Sequence, residues 1–149
     1  MARPAKTERL SVCVDSNVLI AGLMSTKGAS HAILVLGELR LFRLLVPKVA
    51  VEEVRRNLRG LLPEAIPLFD QFLSCPAVSV CSGSAKDEGA ARPHADTKDV
   101  PILAAAIGSS AALLVTHNIR HFASTDSVRV LRPSALLEEA RAWIATRGQ

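Results

Sequence analysis

The chain has 149 residues, 49% of them hydrophobic, which suits one domain with its own core and excludes two domains of ordinary size. A formal net charge of +4 is compatible with a polyanionic partner without requiring one, and aromatic residues at 3%, with no tyrosine, exclude a platform on which successive bases stack. Cys13, Cys75 and Cys81 form neither an even framework nor a CxxC metal pattern, so buried free thiols in a reducing compartment are expected.

In chain order, residues 1–10 read as a charged, disordered tail, with the single domain running over 11–149. Residues 12–14 form a short apolar strand ending at Asp15, and 17–24 continue as a nearly all-apolar helix. A second helix over 29–39 precedes a strand over 42–46. Pro47 marks the entry to a helix running to Gly60, on which Ala50, Val54, Leu58 and Leu61 recur at helical spacing. A further helix is read over 64–73, with Pro67 in its first turn, and a strand over 77–81.

Residues 82–98 mix Gly, Pro and charge and read as a long functional or mobile loop. Beyond it come an apolar helix over 100–107, strands over 112–115 and 128–131, and a closing amphipathic helix from Ser134 with Leu136, Leu137, Ala140, Trp143 and Ile144 on one face. No apolar run reaches the ~18 residues of a membrane span, and a cytoplasmic protein is expected. Alternating strands and helices predict an α/β fold, a mostly parallel sheet of about five strands sandwiched by helices.

Four polar stations stand at the edges of these elements. Asp15, with Ser16 and Asn17 as supports, leaves the first strand, where sites form in open parallel sheets and where an Asp also caps helices. On the third helix, Glu53 and Asn57 border the apolar stripe while Glu52 leans toward Arg55, Arg56 and Arg59, so Glu53 is the better candidate to face the sheet. The basic residues between Arg40 and Arg59 read as a solvated face. Asp99 opens the helix over 100–107, as cap or ligand, and Asp96 is a second ligand or a solvated charge. Thr116 and Asn118 follow the fourth strand and offer oxygens to a hard cation or its waters, while His117 and His121 lack the spacing of a zinc site.

Together these stations resemble the PIN-domain family, especially the VapC-like ribonuclease toxins of bacterial toxin–antitoxin systems. The matching pieces are Val14-Asp15-Ser16-Asn17-Val18-Leu19-Ile20, Val51-Glu52-Glu53-Val54, Asp99-x-x-Ile102-x-Ala104-Ala105-Ala106 and Leu114-Val115-Thr116-x-Asn118-x-x-x-Phe122, and the likeness runs over about 12–137. The resemblance implies a PIN-like three-layer sandwich and an acidic pocket holding Mg²⁺ or Mn²⁺, used to cleave single-stranded RNA. By position, Asp15, Glu53 and Asp99 match the family's first three acidic places and would hold the metal. Asn118 stands at the fourth, often Asp, and Ser16 stands where Thr is more usual.

With an amide at the fourth place, one tightly held ion is expected, and a second only with substrate. Asp15 and Asp99 would be direct ligands, Glu53 would act through water, and no side-chain nucleophile is needed. The resemblance also implies a cognate antitoxin, and the all-apolar helices 17–24 and 100–107 offer surplus surface for it or for a homodimer. Asn118 motivates a rival reading, a weakened PIN-like module that binds RNA or a protein without cutting. A nucleotide-binding protein would want a glycine-rich turn after the first strand, where Asp15-Ser16-Asn17 stands instead.

Overall fold

The computed structural model describes residues 9–147. Five strands, β1 (Ser11–Val14), β2 (Arg43–Pro47), β3 (Val78–Cys81), β4 (Leu113–Val115) and β5 (Arg129–Leu131), form one sheet in the order β3-β2-β1-β4-β5, with every pair parallel. Seven helices flank it: α1 (Ser16–Met24), α2 (Ala29–Glu38), α3 (Lys48–Leu61), α4 (Ile66–Leu73), α5 (Ala85–Ala91), α6 (Val100–Gly108) and α7 (Pro133–Arg147). This is the expected α/β sandwich. The central strands carry uninterrupted apolar runs because both faces of a parallel sheet are covered, and Val12, Cys13, Val14, Leu44, Val46, Leu114 and Val115 are fully buried.

Right-handed crossovers decide which layer each helix joins. The chain moves outward from β1 to β2 to β3, which puts α1 to α4 on one face. It then returns past the starting strand to β4, which sends α5 and α6 to the other. α1 packs on α2 and α3, α2 also packs on α7, and α5 packs on α6. The close α2–sheet approach needs Gly37, because a Cβ there would overlap the side chain of Leu44.

Several boundaries and one element differ from the sequence reading. The segment 82–98 is no loop: it folds into α5 followed by 3₁₀ turns at Arg92–His94 and Thr97–Asp99. Its start is fixed by a capping box, in which Ser84 Oγ accepts from the Asp87 amide at 3.2 Å and Asp87 Oδ2 accepts from the Ser84 amide at 2.8 Å. Pro67 fits because it lies in the first turn of α4, after a 3₁₀ turn at Pro63–Ala65. The expected apolar surplus on α6 is absent, with Val100, Ile102, Leu103, Ala104, Ala105 and Ala106 all buried, whereas α1 keeps Met24 exposed. Of the three free cysteines only Cys13 is buried, and Cys75 and Cys81 are half-buried.

Most of the expected tail, residues 1–8, lies outside the described residues. Leu10 packs on the core, and its carbonyl accepts from the Arg43 amide at 2.8 Å. Among the described residues no single helix is long and apolar enough to cross a membrane.

Candidate metal centre

The strand order reverses between β1 and β4, which is where an open parallel sheet leaves a crevice beyond its carboxyl ends. Asp15 follows β1 and Thr116 follows β4, so they face each other across it. The Asp15 amide continues the ladder by donating to the Val115 carbonyl at 3.0 Å, and the Thr116 amide donates to the Leu131 carbonyl at 3.1 Å. Both residues are buried, at 5% and 0% exposure.

A buried carboxylate must be satisfied locally, and this one is. Thr116 Oγ1 donates to Asp15 Oδ2 at 2.7 Å, the Ser16 amide donates to Oδ1 at 2.7 Å, and Asn17 Nδ2 reaches Oδ2 at 3.4 Å. Asp15 thus caps α1 and also faces the crevice, so the two sequence readings of it are compatible. The supports are themselves supported: Asn17 Oδ1 accepts from the His117 amide at 3.2 Å, and Thr116 Oγ1 accepts from the Asn118 amide at 3.0 Å. His117 turns away from the crevice to pair with Ser30 at 2.9 Å.

Burial pushes the Asp15 carboxyl above its ordinary range, the bonds from Thr116 and Ser16 pull it back, and the nearby charges of Asp99 and Glu53 raise it again. Asp15 therefore lies within the field of both other carboxylates. Glu53 is half-buried on α3 whereas Glu52 is exposed, and Asn57 donates to the Glu53 carbonyl rather than to its carboxylate. Asp99 stands at the cap position of α6 but its side chain accepts no capping bond, so the carboxylate is left for other partners.

Those partners are basic. Lys98 Nζ lies 2.8 Å from Asp99 Oδ2 and 3.0 Å from His121 Nδ1, and His121 Nδ1 is 3.3 Å from the same carboxylate oxygen. Asp96, Asp99 and His121 offer ligand atoms within 4.8 Å of one another. Asp15, Glu53 and Asp99 do not close to that spacing as a set, although the charges of Asp99 and Glu53 both bear on Asp15. Asn118 is exposed at the rim.

The sequence reading missed Lys98 and the proximity of His121 to the acids. Both depend on a tertiary clamp: Ala95 and Phe122 form an isolated antiparallel bridge, and the Asp96 amide donates to the His121 carbonyl at 2.9 Å. No local motif announces such a bridge.

Oxygen donors dominate the crevice, a set suited to a hard divalent cation such as Mg²⁺ or Mn²⁺. Repulsion of Asp15 by Asp99 and Glu53 is a penalty that a cation would relieve, and Asp96 and Asp99 lie close enough to share one, so the residues present fit a divalent ion.

The crystal structure of VapBC2 from Rickettsia felis, bound to a DNA fragment from their promoter, contains a chain of the same fold. That chain superposes with a TM-score of 0.63 and is 18% identical, and the match covers 83% of this protein and 98% of that chain. No curated protein sequence matches. The family described as PIN domain matches residues 11–120, which span β1 through the turn after β4 and include Asp15, Glu53, Asp99 and Asn118. On that match, the chain belongs to the PIN-domain family.

Proposed function

We propose that this protein is a divalent-metal-dependent endoribonuclease acting on single-stranded RNA in the cytoplasm, and the toxin half of a toxin–antitoxin pair. The observation that carries the reading is the buried Asp15 carboxylate held by Thr116 at the reversal of strand order in a PIN-domain chain, with the charges of Asp99 and Glu53 bearing on it. Asp15 and Asp99 would hold the ion, with Glu53 acting through water and Asp96 beside them. Bound there, a divalent ion supplies charge neutralisation for the attacked phosphate and makes water a better nucleophile at neutral pH.

The remaining work falls to the chain. Thr116 and Ser16 hold the Asp15 carboxylate in one orientation, and Asn17 ties α1 to the turn after β4 through the His117 amide. Asn118 places an amide at the rim, able to donate to a phosphate oxygen where a carboxylate would repel it. Phosphate contacts of this kind carry no base information.

The antitoxin reading rests on a groove of about 350 Å³ between α1, α2 and α4, lined by Leu23, Leu34, Val35, Leu68 and Phe72, an apolar trough for a partner segment. The neighbouring structure is of VapBC2 bound to a DNA fragment from their promoter. A homodimer is the other occupant consistent with exposed Met24 and Leu68. Sedimentation alone and with a co-expressed small neighbouring gene product distinguishes them.

Incubation of purified protein with a fluorescent single-stranded oligoribonucleotide tests the activity. Cleavage with Mg²⁺ or Mn²⁺, abolished by chelator and by Asp99→Ala, is expected. Metal-insensitive cleavage refutes the mechanism. Binding without cleavage favours the weakened module that Asn118 motivates.

A further inference from the structure

We infer that Lys98 is the second cation of this pocket, an ammonium that competes for Asp99 with a divalent ion and then serves the scissile phosphate of a bound RNA. The inference rests on the nuclease reading above and adds a residue to it.

Three observations lead there. First, the ammonium is held in place, because it donates to both Asp99 Oδ2 and His121 Nδ1. That places it against the Asp96, Asp99 and His121 cluster. Second, the backbone that presents it is fixed. Thr97–Asp99 is a 3₁₀ turn closed by the Asp99 amide donating to the Asp96 carbonyl at 2.8 Å, and the Ala95–Phe122 bridge pins its start. Third, the charge count leaves a place for an ammonium beside one divalent ion. With Asn118 contributing no charge, the carboxylates of Asp15, Glu53, Asp96 and Asp99 carry four negative charges, so one divalent ion leaves negative charge over for an ammonium to offset.

A structural role does not account for the lysine. Its side chain is 66% exposed, and an ion pair with that much water around it contributes little to stability. It caps neither the 3₁₀ turn at Thr97–Asp99 nor α6. Its position matters for charge: a mobile four-carbon stem with three donors can leave Asp99 for a phosphate oxygen a few ångströms away without backbone movement.

The test uses Lys98→Gln and Lys98→Arg in the full chain, with Mn²⁺ binding measured by calorimetry and cleavage followed on the oligoribonucleotide. Removing the competing charge should tighten Mn²⁺ binding by Lys98→Gln about tenfold. The same variant should cleave about 100-fold more slowly at saturating Mn²⁺, the loss typical of one electrostatic donor to a transition state. Lys98→Arg should keep most of both properties, and the melting temperature of each variant should match wild type. Unchanged Mn²⁺ affinity or unchanged kcat in Lys98→Gln overturns the proposal. A wild-type protein that neither binds Mn²⁺ nor cleaves overturns the nuclease reading first, and the role of Lys98 with it.

Discussion

Replacing Thr116 by valine isolates one hydrogen bond at the heart of the crevice. Valine has nearly the shape of threonine, so no cavity opens in a site that is 0% exposed. What is lost is the 2.7 Å bond from Oγ1 to the buried Asp15 carboxylate, and with it the acceptor for the Asn118 amide. A hydrogen bond to a buried charge contributes about 1.5–3 kcal/mol, while the amide at an exposed turn can recover water, so a loss of about 2–3 kcal/mol at pH 7 is expected. Thr116→Ser keeps the hydroxyl and sheds one methyl, at about 1 kcal/mol.

The pH dependence follows from the sign of the Asp15 shift. Its folded carboxyl lies above the ordinary range, chiefly through burial, so ionised Asp15 opposes folding and the penalty appears as pH rises above roughly 4. The Thr116 bond holds that rise down. Deleting it lifts the carboxyl further, so the valine deficit is largest at neutral pH and shrinks as pH falls toward roughly 4, where Asp15 protonates in both states. Urea unfolding in chelator at pH 7 and near pH 4.5 measures both quantities. A Thr116→Val protein within about 0.5 kcal/mol of wild type at pH 7, or one with the same deficit at both pH values, refutes the reasoning.

Asp15→Asn removes a buried charge that burial and two neighbouring carboxylates oppose, so in chelator at pH 7 the variant should melt higher than wild type, by on the order of 1 kcal/mol, while losing stabilisation by Mg²⁺. A lower melting temperature in chelator contradicts this. Ser84→Ala breaks the capping box of α5 and should cost about 1 kcal/mol, with faster amide exchange over Ala85–Ala91; unchanged exchange would place the start of that helix under other control. Gly37→Ala forces a methyl against Leu44, which is fully buried on β2, and should cost about 1–3 kcal/mol in a chemical melt.

The order of elements was legible because parallel strands buried on both faces leave plain apolar runs, as at 12–14, 42–46 and 112–115, and because helices such as α3 repeat their apolar positions. The stretch 82–98 was not, since α5 is small, rich in Ala and Gly, and declared mainly by Ser84 and Asp87, a signal carried by two residues. Asp15 and Thr116 stand at strand ends and could be found by topology, and helical periodicity favours Glu53, which is half-buried where Glu52 is exposed. Lys98 and His121 were out of reach. They meet only through the Ala95–Phe122 bridge, a contact between segments with no shared pattern.

The bond between Asp15 and Thr116 joins positions 101 residues apart. During synthesis the first of these emerges long before the second exists, so a growing polypeptide carries its acids wet, unaligned and harmless. Under the nuclease reading, a cell making this protein meets the cutting agent only when translation has passed β4, and a product terminated before that strand is born inert.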